Sequence, residues 1–154
     1  MAKQTIKLKK YFDVVNEYDA GEAITPGMLI ALAADGDVDK HAVAGGLCEK
    51  MFAVEDELQG RTIDTDYAAG DPVQCWIALP GEEVLAWLAN GEDVSIGDKL
   101  VSNADGQLKA FTADIYVSSG VDTEEYVIAM ALEAIDMSGS SGVDPTGRIK
   151  VRIL

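Results

Sequence analysis

A segment near the beginning of this chain recurs in its second half, and this recurrence constrains the possible folds more than any other feature. Residues 24–30 align without a gap with residues 94–100, and the match continues at the same offset from 34–38 to 104–108. Each copy has a glycine turn, an apolar run, an Asp-Gly turn and a returning run. Self-similarity of this kind is typical of folds built from repeated units, so the chain is predicted to contain two related β-units.

The glycines of the two copies mark turns. Pro26-Gly27 suits a tight turn, because proline presets φ and glycine accepts positive φ. Asp35-Gly36, which recurs in the second copy, has the composition of a short hairpin connection. The matched positions carry no obviously reactive side chain, which favours a structural or binding protein over an enzyme.

The apolar runs along the chain are short and separated by turn residues, which predicts an all-β fold with room for one short helix. Residues 82–89 suit either a short capped helix or a buried strand, and the flanking β-units favour the strand. The final strand, 148–154, alternates, and three cations on one face would protect it from edge-to-edge stacking. Its apolar face consists of Ile149, Val151 and Ile153. Further strands are predicted at 28–34, 51–54, 73–77, 115–117 and 126–130, and loops at 118–125 and 138–142.

The chain of 154 residues is predicted to form one domain preceded by an arm. Residues 1–20 are the N-terminal arm, and residues 21–154 form a single β domain, with the internal repeat at approximately 24–92 and 94–154. Within the arm, residues 5–9 alternate apolar and charged side chains in the pattern of a half-buried strand. Such an arm can be disordered alone and become ordered on docking.

The net charge of −15 is unevenly distributed along the chain. The two ends hold seven of the 12 basic residues, and the part between them carries five basic against 27 acidic residues. An acidic body repels polyanions, so nucleic-acid binding is not expected. One interpretation is that the acidity only keeps the protein soluble and prevents its molecules from associating. The other is that the basic N-terminus binds an acidic surface, either on a partner or on a neighbouring molecule of the same protein. The terminal cations are Lys3, Lys7, Lys9, Lys10, Arg148, Lys150 and Arg152.

The two cysteines, Cys48 and Cys75, do not form a Cys-x-x-Cys motif. The sequence does not exclude a disulfide between them. Their isolation and the lack of a recognisable signal peptide nevertheless fit a reducing cytoplasm. No apolar run approaches the length of about 18 residues that a membrane-spanning helix needs. We therefore expect a soluble protein without a membrane partner, made in the cytosol.

The acidic hairpin turn is the best candidate for a metal site, but it does not match a calcium loop. Asp35, Asp37 and Asp39 have the right spacing. Lys40, however, stands where the loop needs glycine, and Gly46 where it needs a bidentate glutamate. We predict an ordinary hairpin turn here and no metal.

No catalytic residue and no cofactor is predicted. His41, the only histidine, is expected to be a surface or loop residue, and no serine lies in a Gly-x-Ser-x-Gly motif. The glycine pairs lack the following lysine of a P-loop. Trp76 and Trp87 lie in apolar runs and are predicted to be core residues rather than a carbohydrate platform. The protein is therefore expected not to be an enzyme.

Several short motifs occur along the chain in a characteristic order. In the first half they lie at 24–27, 35–36, 53–55 and 70–73, and in the second at 97–102, 105–106, 128–134 and 148–154. This order resembles that of tailed-bacteriophage capsid decoration proteins, also called cement or head-stabilising proteins, over roughly residues 20–154. The resemblance implies a small β-barrel or β-tulip-like domain, commonly trimeric, on a shell of major capsid protein. The family has no catalytic residues to transfer.

The function implied by the resemblance is that of a structural virion protein on the capsid exterior. Such a protein binds the outside of a phage capsid and stabilises the shell by bridging major capsid protein subunits. Its expected partners are the major capsid protein and further copies of the same chain in a homotrimer. The alternative is a non-catalytic carbohydrate- or surface-binding β-module displayed on a virion. From the charge distribution, the candidate partner-binding residues are those of the arm: Lys3, Ile6, Lys7, Leu8, Lys9, Lys10, Tyr11 and Phe12.

Overall fold

Short antiparallel strands make up almost all the regular structure of the protein. A computed structural model describes residues 6–9, 15–112, 125–139 and 147–154. These residues contain no α-helix, and their single helical turn is a 3-10 turn, Glu57–Gln59. The strands are β1 (Lys7–Lys9), β2 (Val15–Asp19), β3 (Leu29–Leu32), β4 (Val38–Lys40), β5 (Met51–Val54), β6 (Pro72–Ile77), β7 (Glu83–Trp87), β8 (Asp93–Val94), β9 (Lys99–Ser102), β10 (Leu108–Ala110), β11 (Ala129–Ala131), β12 (Ile135–Asp136) and β13 (Arg148–Ile153).

The strands form two large sheets and one small one. The first large sheet has the order β2-β6-β5-β3-β4, and the second has the order β1-β7-β13-β11-β9-β10, while β8 and β12 pair separately. Every ladder between these strands is antiparallel. The predicted all-β fold class is therefore confirmed.

Neither large sheet closes into a barrel, although the resemblance implied a barrel or tulip. The outermost strands β4 and β10 meet the far side of their own sheets only through single parallel bridges, Ala20↔Val38 and Leu88↔Leu108. A closed barrel needs a continuous ladder at this seam. At each seam a main-chain hydrogen bond forms, from Gly21 N–H to the Val38 carbonyl at 2.9 Å and from Ala89 N–H to the Leu108 carbonyl at 2.8 Å, but the pairing does not continue into a ladder, so both sheets stay open.

The two large sheets are copies of one another, which extends the repeat well beyond the motifs visible in the sequence. Strands β2, β6, β5, β3 and β4 correspond in order to β7, β13, β11, β9 and β10. Ile30 pairs with Lys40 in the first hairpin, and their aligned equivalents Leu100 and Ala110 pair in the second, so both copies keep one register. We call β2–β6 the first unit and β7–β13 the second unit.

The sheet order also sets where each unit begins. The first unit starts at β2, which lies within the segment 1–20 that the sequence assigns to the arm. The second unit starts at β7, within the stretch 82–92 that the sequence places in the first copy. Strand β1 precedes both units and is added to the outside of β7.

The hydrophobic core is shared between the units. One large cluster joins Phe52 and Trp76 of the first unit to Leu100 and Val151 of the second. A smaller cluster belongs to the first unit and includes Tyr67. Because the large cluster takes side chains from both sheets, neither unit encloses its core alone, and the two are expected to fold as one domain.

The ladders also decide two of the strand predictions. Residues 82–89 contain strand β7, as favoured, and the apolar face of the terminal strand β13 is fully buried. However, β13 lies between β7 and β11 in the middle of its sheet, so its cations do not protect an edge. The predicted strand 115–117, most of the 118–125 loop and the second half of the 138–142 loop lie outside the described residues.

Candidate interaction surfaces

A buried arginine joins the two units. Arg148, at the start of β13, donates hydrogen bonds to the Pro26 carbonyl at 3.1 and 3.3 Å, to the Ile63 carbonyl, and to the Asp64 carboxylate at 2.7 Å. Its guanidinium also lies 4.4 Å from the ring centre of Trp87. Arg148 is thus held by three acceptor groups of the first unit, and it is unavailable to an outside partner.

The hairpin tip of the second unit docks on the first unit. Leu29 N–H donates to the Gly106 carbonyl at 2.8 Å, and Gly106 N–H donates to the His41 carbonyl at 3.2 Å. Asp105, beside Gly106, accepts a hydrogen bond from Lys40 Nζ at 3.0 Å. This hydrogen bond with Asp105 is the main cause of the raised pKa of Lys40. The contact therefore combines main-chain pairing with a charge pair.

His41 lies inside this contact and not on the surface. Its Nδ1 is hydrogen-bonded to the hydroxyl of Ser102 at 2.7 Å, and both residues are buried. The prediction of a loop position is right, but the alternative of surface exposure is wrong. The reason is tertiary: the second hairpin covers a loop that the first unit alone would leave exposed.

The basic arm begins with a strand that is part of the protein's own sheet. Strand β1 pairs with β7, and Ile6 just before it is fully buried. Ile6 N–H donates to the Glu55 carboxylate at 3.0 Å, and the Ile6 carbonyl accepts from Leu85 N–H at 3.0 Å. Ile6 therefore anchors the arm and does not face a partner. Of the other candidates, Lys7, Leu8 and Lys9 form β1, and Lys3, Lys10, Tyr11 and Phe12 lie outside the described residues.

No strand of the described part of the chain covers the corresponding edge of the first unit. Among the described residues, β2 pairs only with β6, whereas its counterpart β7 is covered by β1. A cavity of about 300 Å³ lies beside β2, and Leu58 at its rim is completely exposed. Its lining mixes apolar and acidic side chains: Val15, Val54, Glu55, Asp56, Glu57, Leu58 and Gln74. Such an edge suits an extended segment with apolar and basic side chains.

The acidic turn forms the tip of the β3–β4 hairpin, as predicted. Asp37 N–H donates to the Asp35 carboxylate at 3.3 Å. Desolvation, and then the charges of Glu22, Asp35 and Asp37, raise the pKa of Asp39. In the part of the chain that the structure describes, no group of three or more histidine, cysteine or acidic residues is arranged to hold a metal.

The raised pKa of Asp39 predicts a specific pH dependence. A carboxyl whose pKa is higher in the folded than in the unfolded protein weakens the fold when it is charged, and this penalty disappears as the pH falls below its ordinary pKa of 3.8. Asp39→Asn should therefore raise the denaturation midpoint at neutral pH but not below that pKa. Denaturant titrations of both proteins at the two pH values measure this. An equal gain at both would contradict the electrostatic origin.

Both cysteines are free thiols in the structure. Burial raises the pKa of Cys48 to about 11 and that of Cys75 to about 12. The thiolate is the reactive form, so neither is primed as a nucleophile at neutral pH. Trp76 is fully buried and Trp87 nearly so, which confirms their placement in the core. Neither ring offers a face to a carbohydrate.

Some of the residues that build these surfaces are missed by sequence reasoning. Glu22 accepts the Lys40 N–H at 3.1 Å, and Glu92 accepts the Ala110 N–H at 2.8 Å, at corresponding places in the two units. These glutamates are separated by the same offset as the repeated motifs. Extending the alignment a little towards the N-terminus would have found them. The repeat does not point to Arg148 in the same way, because no residue of matching charge in the first unit corresponds to it.

No protein-family model and no curated protein matches the chain. Its structure is similar to the crystal structure of the head fiber gp8.5 N base in bacteriophage phi29, with a TM-score of 0.54 and 16% sequence identity. The similarity covers 93% of this chain and 95% of that chain. At this identity the match shows a common fold over nearly the whole length of both chains. In addition, the described residues include no helix long and apolar enough to cross a membrane.

Proposed function

We propose that this protein is a non-catalytic structural component of a phage virion. In this proposal it sits on the capsid exterior as a homotrimer and stabilises the shell by bridging major capsid protein subunits. The observation that carries the proposal is the common fold with a phage head fiber base over 93% of the chain. The motif order in the sequence supports the same class of protein independently of that structure.

Two surfaces have the chemistry for binding a shell. Strand β1 is the outermost strand of its sheet and carries Lys7 and Lys9, so it can pair with an extended segment while its cations meet acidic groups. The open edge of β2, with its acidic and apolar cavity, has the opposite charge character. A standard interface buries on the order of 1,600 Å², and repetition over a symmetric shell multiplies a modest affinity through avidity.

The arm contribution is tested best by changing charge and not by deletion. Removing the arm would also uncover the edge of β7 and remove Ile6 from the core, so a loss of binding could reflect unfolding. The double variant Lys7→Gln, Lys9→Gln should bind purified capsids of the phage that encodes the protein about fivefold more weakly at low salt. Co-sedimentation over a concentration series measures this. The difference should vanish at high salt, because screening removes surface charge effects.

A matched control is the double variant Lys50→Gln, Lys109→Gln, which removes the same charge from the body of the protein. This control should bind capsids as the wild type does. Equal loss in both variants would show that only net charge matters, and the arm would then have no specific role. If the wild-type protein does not co-sediment with capsids at any salt concentration, the proposed function is wrong.

A further inference from the structure

The tips of the two equivalent hairpins have different surroundings. At Gly106, in the second unit, an added Cβ would lie 3.1 Å from Met28 Cβ and 3.2 Å from the Leu29 carbonyl oxygen. At Gly36, the equivalent position of the first unit, no atom lies within 4 Å. One hairpin is therefore docked, and the other projects into solvent.

The surfaces that receive a hairpin differ in the same way. In the first unit, Leu29 and its neighbour Pro26 are buried by the second unit. Their equivalents in the second unit, Lys99 and Ile96, are exposed, and 70% of Ile96 is accessible. Among the described residues there is thus one complete hairpin-to-surface contact, together with one unused hairpin and one unused receiving surface.

When two equivalent units contact each other head to tail, the hairpin of one unit and the receiving surface of the other stay unused. A contact between different surfaces of two equivalent units can repeat from copy to copy, and it forms a ring if the rotation closes. We propose that the first hairpin of one protein molecule, at Asp35-Gly36, docks on the second unit of a neighbouring molecule of the same protein, around Lys99 and Phe111. This rests on the self-association in the proposed function and names its surfaces. In a homotrimer, three contacts within chains would alternate with three between chains.

The side chains at the unused surfaces fit an interface between copies. Within the chain, Ser102 of the docked hairpin is hydrogen-bonded to His41 of the receiving surface. The equivalent residues of the unused pair are Leu32, which is 53% exposed, and Phe111, which is half-buried. The polar pair inside the chain is thus replaced by an apolar pair. Burying an apolar pair between copies gains free energy, whereas leaving it exposed does not.

The charges allow the same contact and also suggest how to strengthen it. In the docked contact, Lys40 lies between Asp105 of the hairpin and Glu22 of its own unit, at 3.0 and 3.3 Å. In the second unit the equivalent of Lys40 is Ala110, which carries no charge. Ala110→Lys would restore the missing bridge to Asp35 of the next copy. This variant should therefore associate more tightly than the wild type.

The association is tested by sedimentation velocity on the full chain over a concentration series. Leu32→Glu should weaken self-association about tenfold or more, because it places a charge at the centre of the contact. Leu58→Glu is the matched control: it makes the same change at a completely exposed leucine outside the proposed contact, and should leave association unchanged. Association of Leu32→Glu equal to that of the wild type, or a wild type that stays monomeric throughout, would overturn the inference.

The identity of the touching surfaces is tested by cross-linking. A mixture of Leu32→Cys and Phe111→Cys proteins should form a disulfide-linked dimer under oxidising conditions, and a mixture of Leu32→Cys and Leu58→Cys proteins should not. Equal cross-linking in both mixtures would contradict the proposed contact. Capsid co-sedimentation is measured separately on the wild type and on Leu32→Glu, and not on the Leu58 variants, because Leu58 lines the cavity beside β2. If the protein associates through these surfaces but does not bind capsids, only the proposed function is wrong. If it binds capsids but associates through other surfaces, only this inference is wrong.

Discussion

Replacing Arg148 with alanine should destabilise the protein by about 2–4 kcal/mol, because it removes charged hydrogen bonds to buried main-chain carbonyls and the stacking of the guanidinium on Trp87, while the Asp64 carboxylate left behind is exposed. The guanidinium is the only group that links Pro26, Ile63 and Asp64 of the first unit to β13 among the described residues. Its removal leaves a buried space against the ring of Trp87 and takes the donor from the Ile63 carbonyl, while the Pro26 carbonyl keeps the hydrogen bond from Trp87 Nε1–H at 3.0 Å. The free energy of unfolding from denaturant titration measures the loss.

Arg152→Ala provides the matched control for this prediction. Arg152 lies on the same strand and forms an ion pair with Glu83 at 3.0 Å, but its side chain is 41% exposed. Because the Arg152 side of the pair is accessible to solvent and Glu83 keeps its ion pair with Lys150 at 3.5 Å, this variant should lose only about 0–1 kcal/mol. If both variants lose the same stability, Arg148 acts only as one surface charge among others and does not join the units.

Gly27→Ala should destabilise the protein by about 2–5 kcal/mol, from two separate causes. Gly27 has φ of +94°, which costs a residue with a Cβ about 1–2 kcal/mol. The new Cβ would also lie 2.8 Å from the Leu85 carbonyl oxygen, and because that atom belongs to the backbone of β7 it cannot move away freely. Relieving such a clash in a packed region typically costs about 1–3 kcal/mol more.

The repeat supplies the control for this variant within the same molecule. Gly97 also has φ of +94°, but no atom lies within 4 Å of the position that its Cβ would take. Gly97→Ala should therefore show only the cost of the backbone conformation. The difference between the two unfolding free energies measures the packing of the second unit against the first. A difference near zero would mean that the contact at Gly27 yields without cost.

The two glycines also show why the turns and hairpins could be predicted from the sequence. Turns and hairpins are local, so the residues at 26–27 and 35–36 are enough to predict them, and the internal repeat transfers the prediction to the second copy. The alternation at the end of the chain likewise predicts which face of β13 is buried, because side chains of a strand point to opposite faces in turn. These predictions need no knowledge of what lies across the sheet.

For the arm and the terminal cations the structure differs from what the sequence predicts, and the reason is long-range pairing. From the sequence, the lysines near the start are predicted to be available to a partner, and the cations near the end to protect the edge of a sheet. The structure places β1 against β7 and β7 against β13, so both ends of the chain meet in one sheet. Such pairing joins residues as distant in the sequence as Glu83 and Arg152, and no periodicity within either segment reports it.

From the sequence alone follow the all-β class, the duplicated hairpins, the turn positions and the apolar face of the last strand, because each depends on neighbouring residues. Only the tertiary structure decides that the second hairpin covers the first unit, that His41 and Arg148 are buried there, and that Leu32, Ile96 and Lys99 stay exposed. Two similar local patterns thus acquire different surroundings. The difference arises because one contact between two units in a chain uses one surface of each and leaves the equivalent surfaces open.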